Sequence, residues 1–165
     1  MKVKDVMTKE VVTIAPEDTL LEASLKMSQK KISGAPVVNE DNLLLGMLSE
    51  ADILGSIKTT VKTMQLIYPS LSSLGVSFKE NVSEKEAIEA YRDVEKMKVS
   101  EIMTKDVFTI DPDEELRNAI KKMVKNKINR LPVIDANGKL VGIITRGDIL
   151  RGIAEESKNN SSQAG

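Results

Sequence analysis

A chain of 165 residues with 41% hydrophobic content can bury one core, or two small ones fused across a shared face. Its 24 basic and 25 acidic residues leave a net charge of −1, so no global field draws it to nucleic acid or to an anionic membrane. It has neither cysteine nor histidine, which removes disulfides, thiolate nucleophiles, Ser-His triads and the usual transition-metal ligands, and no catalytic or metal-binding residue is assigned.

Met1 to Asp5 leads into no apolar signal-peptide core, and no apolar run approaches the roughly 20 residues that span a bilayer. The expectation is a soluble, cytoplasmic chain with no membrane partner. Val11-Val12-Thr13-Ile14 reads as a short strand ended by Pro16, which opens a helix carrying Leu20, Ala23, Leu25 and Met27. Ala35-Pro36-Val37-Val38, the turn Asn39-Glu40-Asp41-Asn42 and the return strand Leu43 to Leu48 make a hairpin, and a closing helix starts after Ser49. Ser56 to Tyr68 is weakly helical until Pro69, Ser70 to Gly75 is loop-like, and Ser83 to Met97 is a charged helix with Ser83 and Glu86 at capping-box spacing.

The order then recurs. Val107-Phe108-Thr109-Ile110 is a strand ended by Pro112, and Asp113, Glu114 and Glu115 suit the positive end of the next helix. That helix carries an apolar stripe of Leu116, Ala119, Ile120, Met123 and Val124. Leu131-Pro132-Val133-Ile134 and Lys139 to Ile144 flank the turn Asp135-Ala136-Asn137-Gly138, and a helix follows Thr145. The polar tail from Lys158 reads as disordered.

This recurrence is an internal repeat. Val6 to Leu54 aligns with Ile102 to Leu150 at an offset of 96 without a gap, and 20 of the 49 positions are identical, where unrelated sequences give roughly 3. The expected division is a first copy over 1–55, a partly helical insertion over 56–98, a second copy over 99–154 and a disordered tail over 155–165. Met27 and Met123 fall on helical stripes and are assigned to the core, and packing is also the preferred role for Met7 and Met103.

Each copy resembles a CBS domain, the repeat named after the regulatory region of cystathionine β-synthase. The resemblance rests on Val6-Met7-Thr8 with Ile102-Met103-Thr104, on the runs Lys31 to Val38 and Lys127 to Ile134, and on Gly-x-x-Ser/Thr-x-x-Asp-Ile-Leu closing each copy. It covers about two thirds of the chain. The resemblance implies an α/β (α+β) fold: two β-α-β-β-α repeats packed through their sheets about a pseudo-twofold axis, with two related clefts. It implies an adenosine-type ligand, AMP, ADP, ATP or S-adenosylmethionine, and a disc-shaped homodimer. No other cofactor is required.

Ser49 with Asp52, and Thr145 with Asp148, place a hydroxyl and a carboxylate at a helix start, where backbone N–H groups and the helix dipole favour phosphate oxygens. A carboxylate there can accept from ribose hydroxyls. The same Ser/Thr-x-x-Asp spacing also makes a capping box that serves only its own helix, and the two roles can coexist. The resemblance implies clefts shared between copies. Ser49 and Asp52 are to face Phe108, Thr109, Ile128, Asn129, Arg130 and Leu131; Thr145, Arg146 and Asp148 are to face Val12, Thr13, Ile32, Ser33, Gly34 and Ala35. Core packing is the competing role for the apolar members. Arg130 against Gly34, and Arg146 against Glu50, make the two clefts chemically unequal, while Lys31 and Lys127 can approach either mouth.

The leading expectation is a regulatory binding module acting in trans on a separate, unidentified protein. Two other classes stand beside it: a structural or nucleic-acid-binding CBS pair with empty clefts, whose basic clusters Lys30-Lys31 and Lys121-Lys122 are short and interspersed with acids, and a nucleotide-processing enzyme limited to Asp, Glu, Ser, Thr and Lys chemistry.

Overall fold

The computed structural model describes residues 1–67 and 84–162. Two hairpins stand where the sequence places them: β1 (Gly34–Val38) with β2 (Leu44–Ser49), and β3 (Arg130–Ile134) with β4 (Leu140–Thr145), each a two-stranded sheet. Their turns share one design. The side chain of Asn39 accepts from the Asp41 and Leu43 N–H groups, as that of Asp135 does from Asn137 and Lys139. The last turn position is left-handed in both, Asn42 at φ 61 and Gly138 at φ 78, which these residue types tolerate.

The strands expected at Val11–Ile14 and Val107–Ile110 shrink to single parallel bridges, Ile14 to Val37 and Ile110 to Val133. Proline explains this. Ile14 N–H donates to the Pro36 carbonyl and Ile110 N–H to that of Pro132, but extending either ladder by one step would need a proline N–H that does not exist. The helices also start later than the prolines suggest, α2 at Leu20 (Leu20–Gln29) and α6 at Leu116 (Leu116–Asn126). Asp18 and Glu114 first fold back, bonding Ala15 and Asp111 in a turn that contains the proline. Thr19 and Glu22 then form the capping box of α2.

The chain divides into two units. The first comprises Met1–Thr13, Val38–Leu45 and Asp106–Gly165. Its core joins Ile110, Leu116, Ala119, Met123, Leu131, Val133, Ile144 and Ile149 to Val3, a residue of the short helix α1 (Val3–Val6) that opens the first copy. Val3 and Lys4 donate to the Glu114 and Pro112 carbonyls, Leu116 donates to Met1, and Thr8 exchanges two backbone hydrogen bonds with Ile143 of β4. Gly142 and Gly152 permit this approach: a Cβ on either would lie 2.6 Å from Met7 Sδ or Val6 Cγ1.

The second unit, Ile14–Val37 with Gly46–Lys105, mirrors this exchange. Val99, in the short helix α5 (Val99–Ile102) that opens the second copy, joins Ile14, Leu20, Ala23, Met27, Ala35, Val37 and Leu48. Val99 and Ser100 donate to Asp18 and Pro16, Leu20 donates to Met97, and Thr104 exchanges two bonds with Met47 of β2. Each copy's opening segment thus joins the core that holds the other copy's first helix and the buried strand residues of its hairpin. Met27 and Met123 are buried, and Met7 and Met103 pack against the two cores.

Beyond Ser49 the closing helix and the weakly helical segment are one element, α3 (Glu50–Ile67). The charged helix is α4 (Glu84–Glu95), which buries Ala90 and Val94; the Ser70 to Gly75 loop, Tyr68, Pro69 and the Ser83 cap lie outside the described residues. Where the sequence suggests a disordered tail over 155–165, α7 runs from Arg146 to Ser162, and residues 163–165 lie outside the described residues. Along its polar end the hydroxyls of Ser157, Ser161 and Ser162 bond carbonyls four residues back. On α6, Val124 lies 74% exposed, outside the buried stripe of Leu116, Ala119 and Met123. No helix among the described residues is long and apolar enough to cross a membrane.

Candidate ligand-binding sites

Both Ser/Thr-x-x-Asp motifs sit where a return strand turns into a helix. In the second unit, Asp52 Oδ2 accepts from the Ser49 N–H at 2.9 Å and the Ser49 hydroxyl at 3.0 Å, and the Asp52 N–H donates back to Ser49 Oγ. In the first unit, Asp148 Oδ2 takes the Thr145 N–H at 2.8 Å and the Thr145 hydroxyl at 2.9 Å, with the same return bond. The capping role is therefore fully formed in each. It consumes one carboxylate oxygen and leaves Oδ1 directed elsewhere.

Those second oxygens find partners that the motif does not announce. Thr104 donates to Asp52 Oδ1 at 3.0 Å, and Thr8, at the matching place in the first copy, donates to Asp148 Oδ1 at 3.2 Å. The backbone bridges of Thr104 to Met47 and Thr8 to Ile143 deliver these hydroxyls. Their signal was visible as part of the repeated Met-Thr pair, although neither threonine stood out as a site residue. Asp148 Oδ1 also receives Arg151 Nη2 at 2.5 Å. Residue 151 corresponds to Gly55 in the first copy.

That glycine leaves a hollow of about 460 Å³ beside Asp52, lined also by Ser56, Thr59, Met97 and Glu101. Asp52 is half-buried there, whereas Asp148 is 4% exposed. The helix starts are otherwise alike. Glu50 N–H donates to the Ser33 carbonyl and Arg146 N–H to that of Asn129, while the next N–H groups, of Ala51 and Gly147, belong to a first turn whose donors have no helical carbonyl to bond.

The remaining expected residues divide by unit. Ser49, Asp52, Ile32, Ser33, Gly34 and Ala35 lie in the second unit; Thr145, Arg146, Asp148, Val12, Thr13, Phe108, Thr109 and Ile128 to Leu131 lie in the first. Within the first unit Arg130 stands opposite Thr145 in the β3–β4 ladder, so this arginine neighbours the helix start of its own copy. Its Nε donates to the Asn129 side chain at 3.1 Å. Leu131 and Ala35 are fully buried and their side chains are core, with Ile128 and Ile32 packed against the same cores. Phe108 is half exposed, and the Thr109 carbonyl accepts from Lys122 Nζ.

Lys31 and Lys127 both adopt left-handed backbone at the helix ends, φ 53 and 54, with exposed side chains. Away from these motifs, Lys4 and Lys2 hold the Asp113 carboxyl below its ordinary range by hydrogen bonding and charge, and Asp113 raises Lys4 in turn. Glu17 raises Lys98 in the same way.

The CBS domain family profile matches residues 3–59 and 99–155. An uncharacterized protein of Methanocaldococcus jannaschii is 40% identical over 154 residues, covering 93% of this chain and 91% of its own. The chloroplastic CBS domain-containing protein CBSX1 of Arabidopsis thaliana is 31% identical, covering 98% of this chain and 68% of its own. A crystal structure of CBSX2 in complex with AMP superposes with a TM-score of 0.69 at 25% identity, covering 94% of this chain and 98% of that one.

Proposed function

Because this chain belongs to the CBS-domain family and carries the domain twice, we propose that it is a regulatory module that binds an adenosine nucleotide at its two Ser/Thr-x-x-Asp helix starts. The observation that supports this most directly is the paired geometry of Asp52 and Asp148, each fixed through Oδ2 by its own cap with Oδ1 directed to a threonine of the other copy's opening segment. A carboxylate held this way is preorganised to take ribose hydroxyls in exchange for the donors now on Oδ1. The first-turn N–H groups suit a phosphate. Arg130 and Arg146 add cations near Thr145, and the AMP in CBSX2 makes AMP the first compound to test.

Occupancy acts on a separate protein or on a second copy of this chain. Leu54 and Leu150, at matching positions on α3 and α7, are 66% and 69% exposed and offer apolar surface for such contacts. A second reading, in which the motifs serve only as helix caps, draws on the completeness of both capping boxes. Calorimetric titration of AMP, ATP and S-adenosylmethionine into the wild type, Asp52→Ala and Asp148→Ala separates the two. Heat of binding that is lost site by site is expected; no heat and no thermal stabilisation with any of the three ligands would leave the capping reading alone.

A further inference from the structure

The two carboxylates differ in how fully their acceptor capacity is used. A carboxylate offers about four acceptor positions. Asp148 fills them with the Thr145 N–H, the Thr145 hydroxyl, the Thr8 hydroxyl and the Arg151 guanidinium. Among the described residues, Asp52 receives the Ser49 N–H, the Ser49 hydroxyl and the Thr104 hydroxyl alone. The difference arises from one residue, Arg151 where the first copy has Gly55. Arg151 lies one turn along α7 from Asp148, and its side chain is 58% exposed although the carboxylate it grips is 6% exposed.

The geometry points to Arg151 as an internal latch on the second site, which a ribose diol must displace before Asp148 can receive it. This inference rests on the nucleotide-binding reading of Asp52 and Asp148. At Asp52 an incoming diol meets an acceptor position that no donor among the described residues fills and displaces a neutral hydroxyl, beside the hollow that Gly55 lines. At Asp148 the diol competes with a charge-assisted hydrogen bond, which is stronger than a neutral one. Arg151 thus sets the order of filling: the first site binds without rearrangement, and the second only as the guanidinium swings into solvent, for which its exposure leaves room.

The test isolates each site and then alters the latch. In an Asp52→Ala background, where Asp148 holds the remaining site, AMP affinity is measured by calorimetry with Arg151 intact and as Arg151→Met, which keeps the stem and the helix propensity. Removal of the guanidinium is expected to tighten AMP by about tenfold, the scale of one hydrogen bond to a charged group. In an Asp148→Ala background, Gly55→Arg is expected to weaken AMP by a comparable factor. An unchanged or weaker affinity in Arg151→Met overturns the latch while leaving nucleotide binding intact. No AMP binding to the wild type overturns the nucleotide reading, and the latch with it.

Discussion

Thr8 donates its hydroxyl hydrogen to Oδ1 of Asp148 at 3.2 Å, across 140 positions of sequence. Thr104 serves Asp52 in the same way at 3.0 Å. The consequences of deleting the two hydroxyls differ, because Asp148 Oδ1 keeps Arg151 when Thr8 is lost, whereas Asp52 Oδ1 keeps no other protein donor among the described residues. Thr104→Val is expected to lower stability by up to about 1 kcal/mol, and Thr8→Val by less. Urea unfolding of the two variants against the wild type checks the order.

Gly46 and Gly142 let β2 and β4 touch those threonine segments. A Cβ at Gly46 would lie 2.6 Å from the Thr104 carbonyl oxygen, and one at Gly142 meets Met7 Sδ at 2.6 Å with the Thr8 oxygen at 3.0 Å. A backbone atom yields less readily than the end of a methionine. Gly46→Ala is expected to cost about 1–3 kcal/mol, and Gly142→Ala less. Thermal unfolding of both variants measures the gap.

Val3 and Val99 are fully buried in the first and second unit's cores. Truncating either to alanine removes two methyl groups and is expected to cost about 2 kcal/mol. Deleting the first eight residues should destabilise the second copy far more than it does the first, a pattern that hydrogen exchange resolved by residue would show.

Asp113 accepts from Lys4 Nζ at 2.6 Å and from Lys2 Nζ at 3.2 Å, tying α1 to the turn before α6. Its carboxyl is held below the ordinary value of 3.8. The fold therefore gains from this group above that unfolded value and loses the gain as pH falls through the lower folded one. The pair is exposed, so the effect is small and screened by salt. Asp113→Asn should lower the melting temperature slightly at pH 7, and the difference from wild type should close at strongly acid pH.

Much of this architecture could be read from residue order. The hairpins declared themselves through Pro36 and Pro132 and the Asn39 and Asp135 turns, and the core side of α6 through Leu116, Ala119 and Met123. Four-residue helices such as α1 and α5 carry no period, so nothing local shows which core takes Val3 or Val99. Ser49, Asp52, Thr145 and Asp148 were legible as motif positions because repetition marks them. Arg151 was not, since the run of identities between the copies ends at Leu54 and Leu150, one position short of the dissimilar pair Gly55 and Arg151. The polar composition after Lys158 hid the serine hydroxyls that bond back along α7.

The exchanged opening segments bear on how the chain acquires its structure. Most of the second unit's residues leave the ribosome before Val99, yet its core lacks that side chain until the second copy begins; Val3, made first, waits for β3, β4 and α7 before its own core can close around it. Contacts this remote in sequence carry a large loop-closure cost and slow folding. Neither copy can be finished alone, and a single copy separated from the chain would lack the segment that seals it and could obtain one only from another molecule.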